Sequence, residues 1–200
     1  SETLDVTTNS HDLAIHFMAL HWANEPVGQI IQSARALQPD GLFQAVCLGG
    51  QTLNELRICL AQAESEVTGG LSPRIAPMGE IRDLGALLQR AGLALPVADN
   101  ITVRTSYKDA FHLMHDLRNF GETNALNARL RHPTKRAIFD RCAEIYAKTF
   151  AEDGKIIATF EFLFLSGWAP SADQPKPLRP GSATSRLADA LKTTEKPLRD

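Results

Sequence analysis

The feature that most constrains this chain is a strand–helix–strand signature at its start. Leu13–Met18 ("LAIHFM") is an apolar run broken only by His16, the pattern of a strand covered on both faces. In the loop "ALHWANEP" that follows, Asn24 is placed to cap a helix, with Pro26 in the first turn, where a missing N–H does no harm. Val27, Ile30, Ile31, Ala34 and Leu37 then recur along one helical face. "QPDG" (Gln38–Gly41) reads as a turn and "LFQAVCLGG" (Leu42–Gly50) as a second buried strand. A unit of roughly 35 residues is the size a right-handed parallel crossover needs. The fold class is therefore α/β.

Further along, Thr52 and Glu55 have the spacing of a capping box for the next helix. "GGLSPRIAP" (Gly69–Pro77) breaks the chain, and a helix over 79–91 stops at Gly92. A third strand, Leu95–Ser106, is interrupted at "ADN". Helices over 108–120 and 134–150 form an insert of about 107–150, and the last strand, Ile156–Trp168, follows a turn at "EDGK". Residues 1–168 are read as one domain and 169–200 as a mostly irregular tail, with an amphipathic turn around Leu187, Ala190 and Leu191.

Composition excludes several functions. A formal net charge of −2 provides no field for nucleic acid or an anionic membrane. The longest apolar stretch, "IIATFEFLFLSGWA", contains Glu161 and falls short of the ~20 residues of a membrane helix, so no integral membrane segment is expected. Cys47, Cys59 and Cys142 are far apart, with no CxxC pair, which argues against a zinc site or disulfide framework and fits a reducing, cytoplasmic setting. His112 and His115 lie three apart beside Asp116, but a metal would need a further ligand from elsewhere, and none is expected. No serine or cysteine sits in a recognisable nucleophile motif.

The element order is that of the second half of a class I methyltransferase fold. "LHWANEP", "LQPDGLFQAVCLGGQTLNELR", "AESEVTGGLSPRIAPMGEIRDLGALLQRAG", "LMHDLRNFGETNA" and "GSAT" together resemble the methyltransferase-like assembly factors of respiratory complex I and their bacterial relatives. A more distant resemblance is to the malonyl-carrier methyltransferase of biotin synthesis. The resemblance implies a partial Rossmann-like domain comprising strands four to seven, with the final strand antiparallel to the rest. It implies S-adenosylmethionine as the cofactor of the intact protein and a complex I subunit as its protein substrate. The glycine-rich loop that would cradle the cofactor belongs to the first half of such a fold, and this sequence has no G-x-G-x-x-G. We therefore expect a C-terminal half that does not bind the cofactor fully by itself. Strand 13–18 would then expose an edge, through which two copies are expected to pair unless another segment covers it.

Ligands of open α/β sheets bind beyond the carboxyl ends of the strands. That rule and the resemblance together place Ala19, Leu20, His21 and Trp22 at the cofactor pocket, with His21 as a candidate general base. Gly50, Gln51, Arg74, Glu122, Thr123 and Asn124 are the candidate substrate-binding residues. The residues also admit ordinary roles: His16 as a satisfied core histidine, Arg57 on an exposed helix side, Arg74 as a surface cation, and Glu122–Asn124 as capping groups. Three functions follow: a methyltransferase-like enzyme of the assembly-factor type, a malonyl-carrier methyl ester synthase, and a non-catalytic interaction module. The resemblance also associates the assembly-factor type with arginine hydroxylation, so the fold need not imply methyl transfer.

Overall fold

The computed structural model describes residues 3–176, 181–182 and 185–194. Ser1–Pro170 and Ser171–Asp200 are separate compact units. In the second unit the described residues form turns and one short helix, α6 (Leu187–Ala190). Ala183 and Thr184 of the "GSAT" motif lie outside the described residues.

The first unit runs β1 (His11–Phe17), α1 (Pro26–Ala36), β2 (Leu37–Leu48), α2 (Asn54–Thr68), α3 (Ile81–Arg90), β3 (Ala94–Tyr107), α4 (Ala110–Asn119), α5 (Arg136–Thr149), β4 (Ala151–Glu152) and β5 (Lys155–Trp168). The sheet order is β1-β2-β5-β3, with β4 folded back onto β5. β1 and β2 are parallel, and β5 is antiparallel to both its neighbours, β2 and β3. The crossover expected from the first fifty residues is present, and so is the antiparallel last strand.

Alternation along β5 divides the hydrophobic core in two. Ile156 and Ala158 cluster with Leu56 and Cys59 of α2, Leu113 of α4, and Cys142, Ile145 and Tyr146 of α5. Leu163 and Leu165, of opposite parity, cluster with Ile30 of α1, Phe43 and Cys47 of β2, and Leu84 and Leu88 of α3. Helices thus cover both faces of the sheet, but incompletely. β1 was expected to be buried on both sides, yet Leu13, Ile15 and Phe17 are 50, 66 and 72 % exposed. They share a sheet face, through the pairing Leu13↔Leu42↔Trp168, with exposed Phe164 and Trp168. His16 points to the opposite side, and its buried Nδ1 has no partner among the described residues. It is not the satisfied core histidine expected.

Local expectations fail where tertiary pairing competes. Gln38–Gly41 is not a separate turn but the opening of β2. The Asp40 N–H and Gly41 carbonyl bond Ala169, just beyond β5, at 3.1 and 2.8 Å. A side chain at Gly41 would meet the Gln38 carbonyl at 2.9 Å and that of His11 at 3.1 Å, so glycine lets the start of β2 lie against β1. "ADN" does not break β3 either. Ala98, Asp99 and Asn100 stay in register with β5, and the irregularity lies at Ala94–Val97, where Leu95 has φ +50°. Asn24 does not cap α1, whose N-cap is Glu25 with no side-chain bond.

The capping box at Thr52 and Glu55 is absent as well. β2 ends at Leu48, leaving the backbone of β5 around residues 159–161 without a strand on that side. Buried backbone polar groups require partners, and the turn into α2 supplies them. Gly49 N–H donates to the Glu161 carbonyl (2.8 Å) and Leu53 N–H to that of Thr159 (2.7 Å). Thr52 Oγ1 accepts from Glu161 N–H (3.0 Å), while the Glu55 carboxylate accepts from Thr159 N–H (3.2 Å) and from its hydroxyl. Leu53 takes φ +55° to make this turn. The two residues that looked like a helix cap complete a sheet instead.

Candidate functional site

β1 and β2 deliver the chain to the same end of the sheet, as parallel neighbours must. Beyond β1, Met18 takes φ +49° and a 3₁₀ turn, Leu20–Trp22, follows. Leu20 is driven into the α1/α3 core, which turns His21 and Trp22 away from it. They line a cavity of about 1130 Å³. Its other walls are the loop 72–78, one side of α4 (Met114, Leu117, Arg118), the segment 122–130, and Thr134 and Phe139 at the start of α5.

Polar groups converge in two places. At the first, the His21 Nδ1 accepts the Leu48 N–H (3.4 Å) and its Nε2 lies 3.2 Å from Glu122 Oε1. Because Nδ1 is an acceptor, the ring proton belongs on Nε2, where it is donated to Glu122. Trp22 Nε1–H donates to the same oxygen at 3.3 Å. Glu122 is held in place by residues about a hundred positions away, tying the insert to the exit of β1. Both ring nitrogens of His21 are thereby engaged by Leu48 and Glu122.

At the second, the Glu64 carboxylate accepts from Arg74 Nε (3.1 Å) and Nη2 (2.6 Å), and from the Ser72 N–H (2.9 Å) and hydroxyl (2.7 Å). Arg74 Nη1 donates to Thr134 Oγ1 at 3.0 Å. The pair is buried, with side-chain exposures of 13 % for Arg74 and 4 % for Glu64. Burial alone would raise the Glu64 carboxyl, but the bonds from Arg74 and Ser72 outweigh it and hold the group below its usual 4.5. Arg74 is thus not a surface cation. Its fork-like guanidinium pins the loop 72–78 to α2 and to the segment just before α5.

Of the other candidates, Thr123 and Asn124 line the cavity, and Asn124 Nδ2 donates to the Pro73 carbonyl at 2.9 Å. Four candidates lie elsewhere. Ala19 borders a smaller groove of about 440 Å³ beside β1, and Leu20 is core. The Gly50 N–H donates to the Gly79 carbonyl (3.1 Å), and the Gln51 N–H to Glu161 Oε2 (3.0 Å). Arg57 is half-buried, not exposed, and its Nε has no partner among the described residues. Glu64, Ser72 and Thr134 were missed. Their only sequence signal is position, a helix end and two loops whose meeting depends on the tertiary fold.

The sheet order, the parallel β1–β2 pair and the antiparallel β5 define the chain as Rossmann-like, of the class I methyltransferase type. A solved candidate methyltransferase from Bacillus halodurans superposes with a TM-score of 0.52 over 85 % of this chain and 75 % of its own, at 14 % identity. That likeness is one of fold. No family model matches the chain. In sequence it is 38 % identical over 193 residues to the protein named arginine-hydroxylase NDUFAF5, mitochondrial, of Danio rerio, covering 96 % of this chain and 60 % of that one. The Homo sapiens protein of the same name is 37 % identical over 186 residues, 92 % of this chain and 53 % of its own. Malonyl-[acyl-carrier protein] O-methyltransferase of Methylovorus sp. (strain MP688) is 32 % identical over 171 residues, 86 % and 55 % of the two chains. The resemblance read from the motifs is borne out, and the chain spans about half the length of these relatives.

The residues present do not make a cradle for S-adenosylmethionine on their own. The paired glycines after β2 are already filled. A side chain at Gly49 would meet Glu161 Oε2 at 2.5 Å, and one at Gly50 would meet Glu80 Oε1 at 2.4 Å. No backbone there is free to approach a ligand as a glycine-rich phosphate or cofactor loop does. His21 and Trp22 provide at most one wall, and no step of methyl transfer can be built on these residues. Among the described residues no cluster of metal-ligating side chains occurs, and no helix is long and apolar enough to cross a membrane.

Proposed function

We propose that this chain is the substrate-side portion of an S-adenosylmethionine-dependent, methyltransferase-like enzyme of the complex I assembly-factor type, with a protein side chain as its substrate. The observation that carries this reading is the cavity at the carboxyl ends of β1 and β2. It is roofed by the α4–α5 insert and has the Glu122 carboxylate fixed inside it by His21 and Trp22. A volume of about 1130 Å³ is ample for an extended side chain together with part of a cofactor. Similarity to proteins named arginine-hydroxylase supports an arginine-containing substrate. The absence of a glycine-rich loop from these residues supports a division of labour in which they shape the acceptor side.

Calorimetric titration of the chain with S-adenosylmethionine tests the reading. Negligible heat is expected here, with binding in a longer protein that contains a glycine-rich segment. Micromolar binding to this chain alone would overturn the division of labour, and no binding in the longer protein would overturn the cofactor assignment. The malonyl-carrier reading rests on the similarity to the malonyl-carrier enzyme. It predicts a site for an acidic acyl group, which the presence of Glu122 in the cavity disfavours.

A further inference from the structure

Charge along the chain is unevenly placed. Residues 118–136 hold Arg118, Arg129, Arg131, Lys135 and Arg136 against a single acid, Glu122. That leaves 16 of the chain's 21 lysines and arginines, and 22 of its 23 acids, to all other residues. A protein of net charge −2 thus carries a basic patch on an acidic remainder. The patch borders the cavity: Arg118, Arg129 and Leu130 line it, and Thr134, next to Lys135, is bound there by Arg74. The one acid is engaged by His21 and Trp22. Of the five cations only Arg136 has an acidic partner among the described residues, Asp140 at 3.7 Å, and its own side chain is 89 % exposed. Nor do these charges all serve the fold. Lys135 is the N-cap of α5 and Arg136 its first residue, in a first turn with no acid and no side-chain cap. Cations at that end oppose the helix dipole, so both cost local stability. Between the charges stand apolar side chains open to solvent, Phe120 at 69 % and Leu130 at 42 % exposure.

We propose that this rim is a docking surface for an acidic segment of a polypeptide partner, held there while a neighbouring side chain of that partner enters the cavity. Carboxylates along the segment meet Arg118, Arg131, Lys135 and Arg136, and its apolar residues meet Phe120 and Leu130. The occupant follows from the charge distribution. A nucleic-acid duplex or an anionic bilayer extends past the patch and onto the acidic remainder, whereas a short acidic segment needs only the rim. The inference rests on the reading above in one respect, that a polypeptide substrate uses this cavity. It goes further in naming a point of recognition outside the cavity and the chemistry of the sequence that flanks the modified residue. Exposed rim charges act chiefly on association rate and choice of partner.

The test measures fluorescence anisotropy of a labelled peptide in which glutamates are interspersed with leucine and glycine, beside a twin with glutamine at every glutamate position. Neither peptide contains arginine or lysine, so the cavity's own specificity does not enter. The acidic peptide is expected to bind saturably and to shift amide resonances of the ¹⁵N-labelled chain within 118–136. The twin should bind about tenfold more weakly or not at all. Arg131→Glu combined with Lys135→Asp changes two exposed residues outside the cavity lining. It should weaken the acidic peptide roughly tenfold, the product of two exposed ion pairs worth a few-fold each. The same variant should melt higher, because aspartate caps α5 and complements its dipole, so that lost binding is not lost folding. Equal binding of peptide and twin, shifts confined to residues outside 118–136, full affinity in the variant, or preference for an oligouridylate of equal charge would overturn the docking surface. Should the variant fail to fold, the peptide–twin ratio and the mapped resonances of the unaltered chain decide. No cofactor takes part, so failure of S-adenosylmethionine to bind the longer protein would leave this result untouched, and the two readings fall separately.

Discussion

Replacing Arg74 by methionine isolates the energetics of the cavity wall. Methionine has similar length and no charge, so Glu64 would keep its place beneath the loop 72–78 but lose both guanidinium bonds, of 2.6 and 3.1 Å. Breaking one side of a buried pair costs about 3–5 kcal/mol, because the remaining charge is uncompensated. For a chain of this size, at about 2–4 °C per kcal/mol, that lowers the melting temperature by roughly 6–20 °C. Denaturant unfolding at pH 7 and again near pH 4 is the assay. In the unaltered chain the Glu64 carboxyl lies below its usual 4.5. Its stabilisation is therefore present above that value and lost as pH falls through the depressed folded value. In Arg74→Met, burial dominates and the carboxyl is pushed up, so acid protonates and relieves it. The penalty should accordingly be smaller near pH 4 than at pH 7. Adding Glu64→Leu should recover most of the loss, since a buried pair replaced as a whole by apolar groups is often neutral. A penalty under about 1 kcal/mol, or one identical at both pH values, would refute the claim that a buried ion pair holds this loop.

Two shorter predictions concern the rest of the molecule. All three cysteines are buried and free, and burial pushes the Cys47 thiol up to about 11 and those of Cys59 and Cys142 to about 12. A thiol reagent at pH 8 should find none of them quickly in the native chain and all three after denaturation; a fast native reaction would contradict the packing. The second concerns the open side of β1. We propose that the exposed face of Leu13, Ile15 and Phe17, on a strand paired only with β2 among the described residues, drives self-association. Sedimentation velocity should show a concentration-dependent dimer that Phe17→Lys weakens, whereas a monomer at every concentration would dispose of the idea.

The sequence alone determined the local skeleton, because it is written in periodicities and punctuation that act over a few residues. The 3.6-residue spacing of α1 with its leading Pro26, the left-handed Gly69 and Gly92 that end α2 and the turn after α3, and the "EDGK" hairpin between β4 and β5 each depend on neighbours in the chain. So did the element order, and with it the parallel crossover. The motifs also brought His21, Trp22, Arg74, Glu122, Thr123 and Asn124 forward as candidates, all of which line one cavity. The tertiary structure decided which groups satisfy one another. Thr52 and Glu55 fit a capping box by spacing, but β5 is left without a strand on its β2 side beyond Leu48, and its backbone there claims both. Arg74 looked like a surface cation until α2 brought Glu64 beneath it. His21, the candidate base, has Leu48 and Glu122 as the partners of its two nitrogens. In each case a buried polar group must find a partner, and that partner lies too far along the chain for spacing to show it.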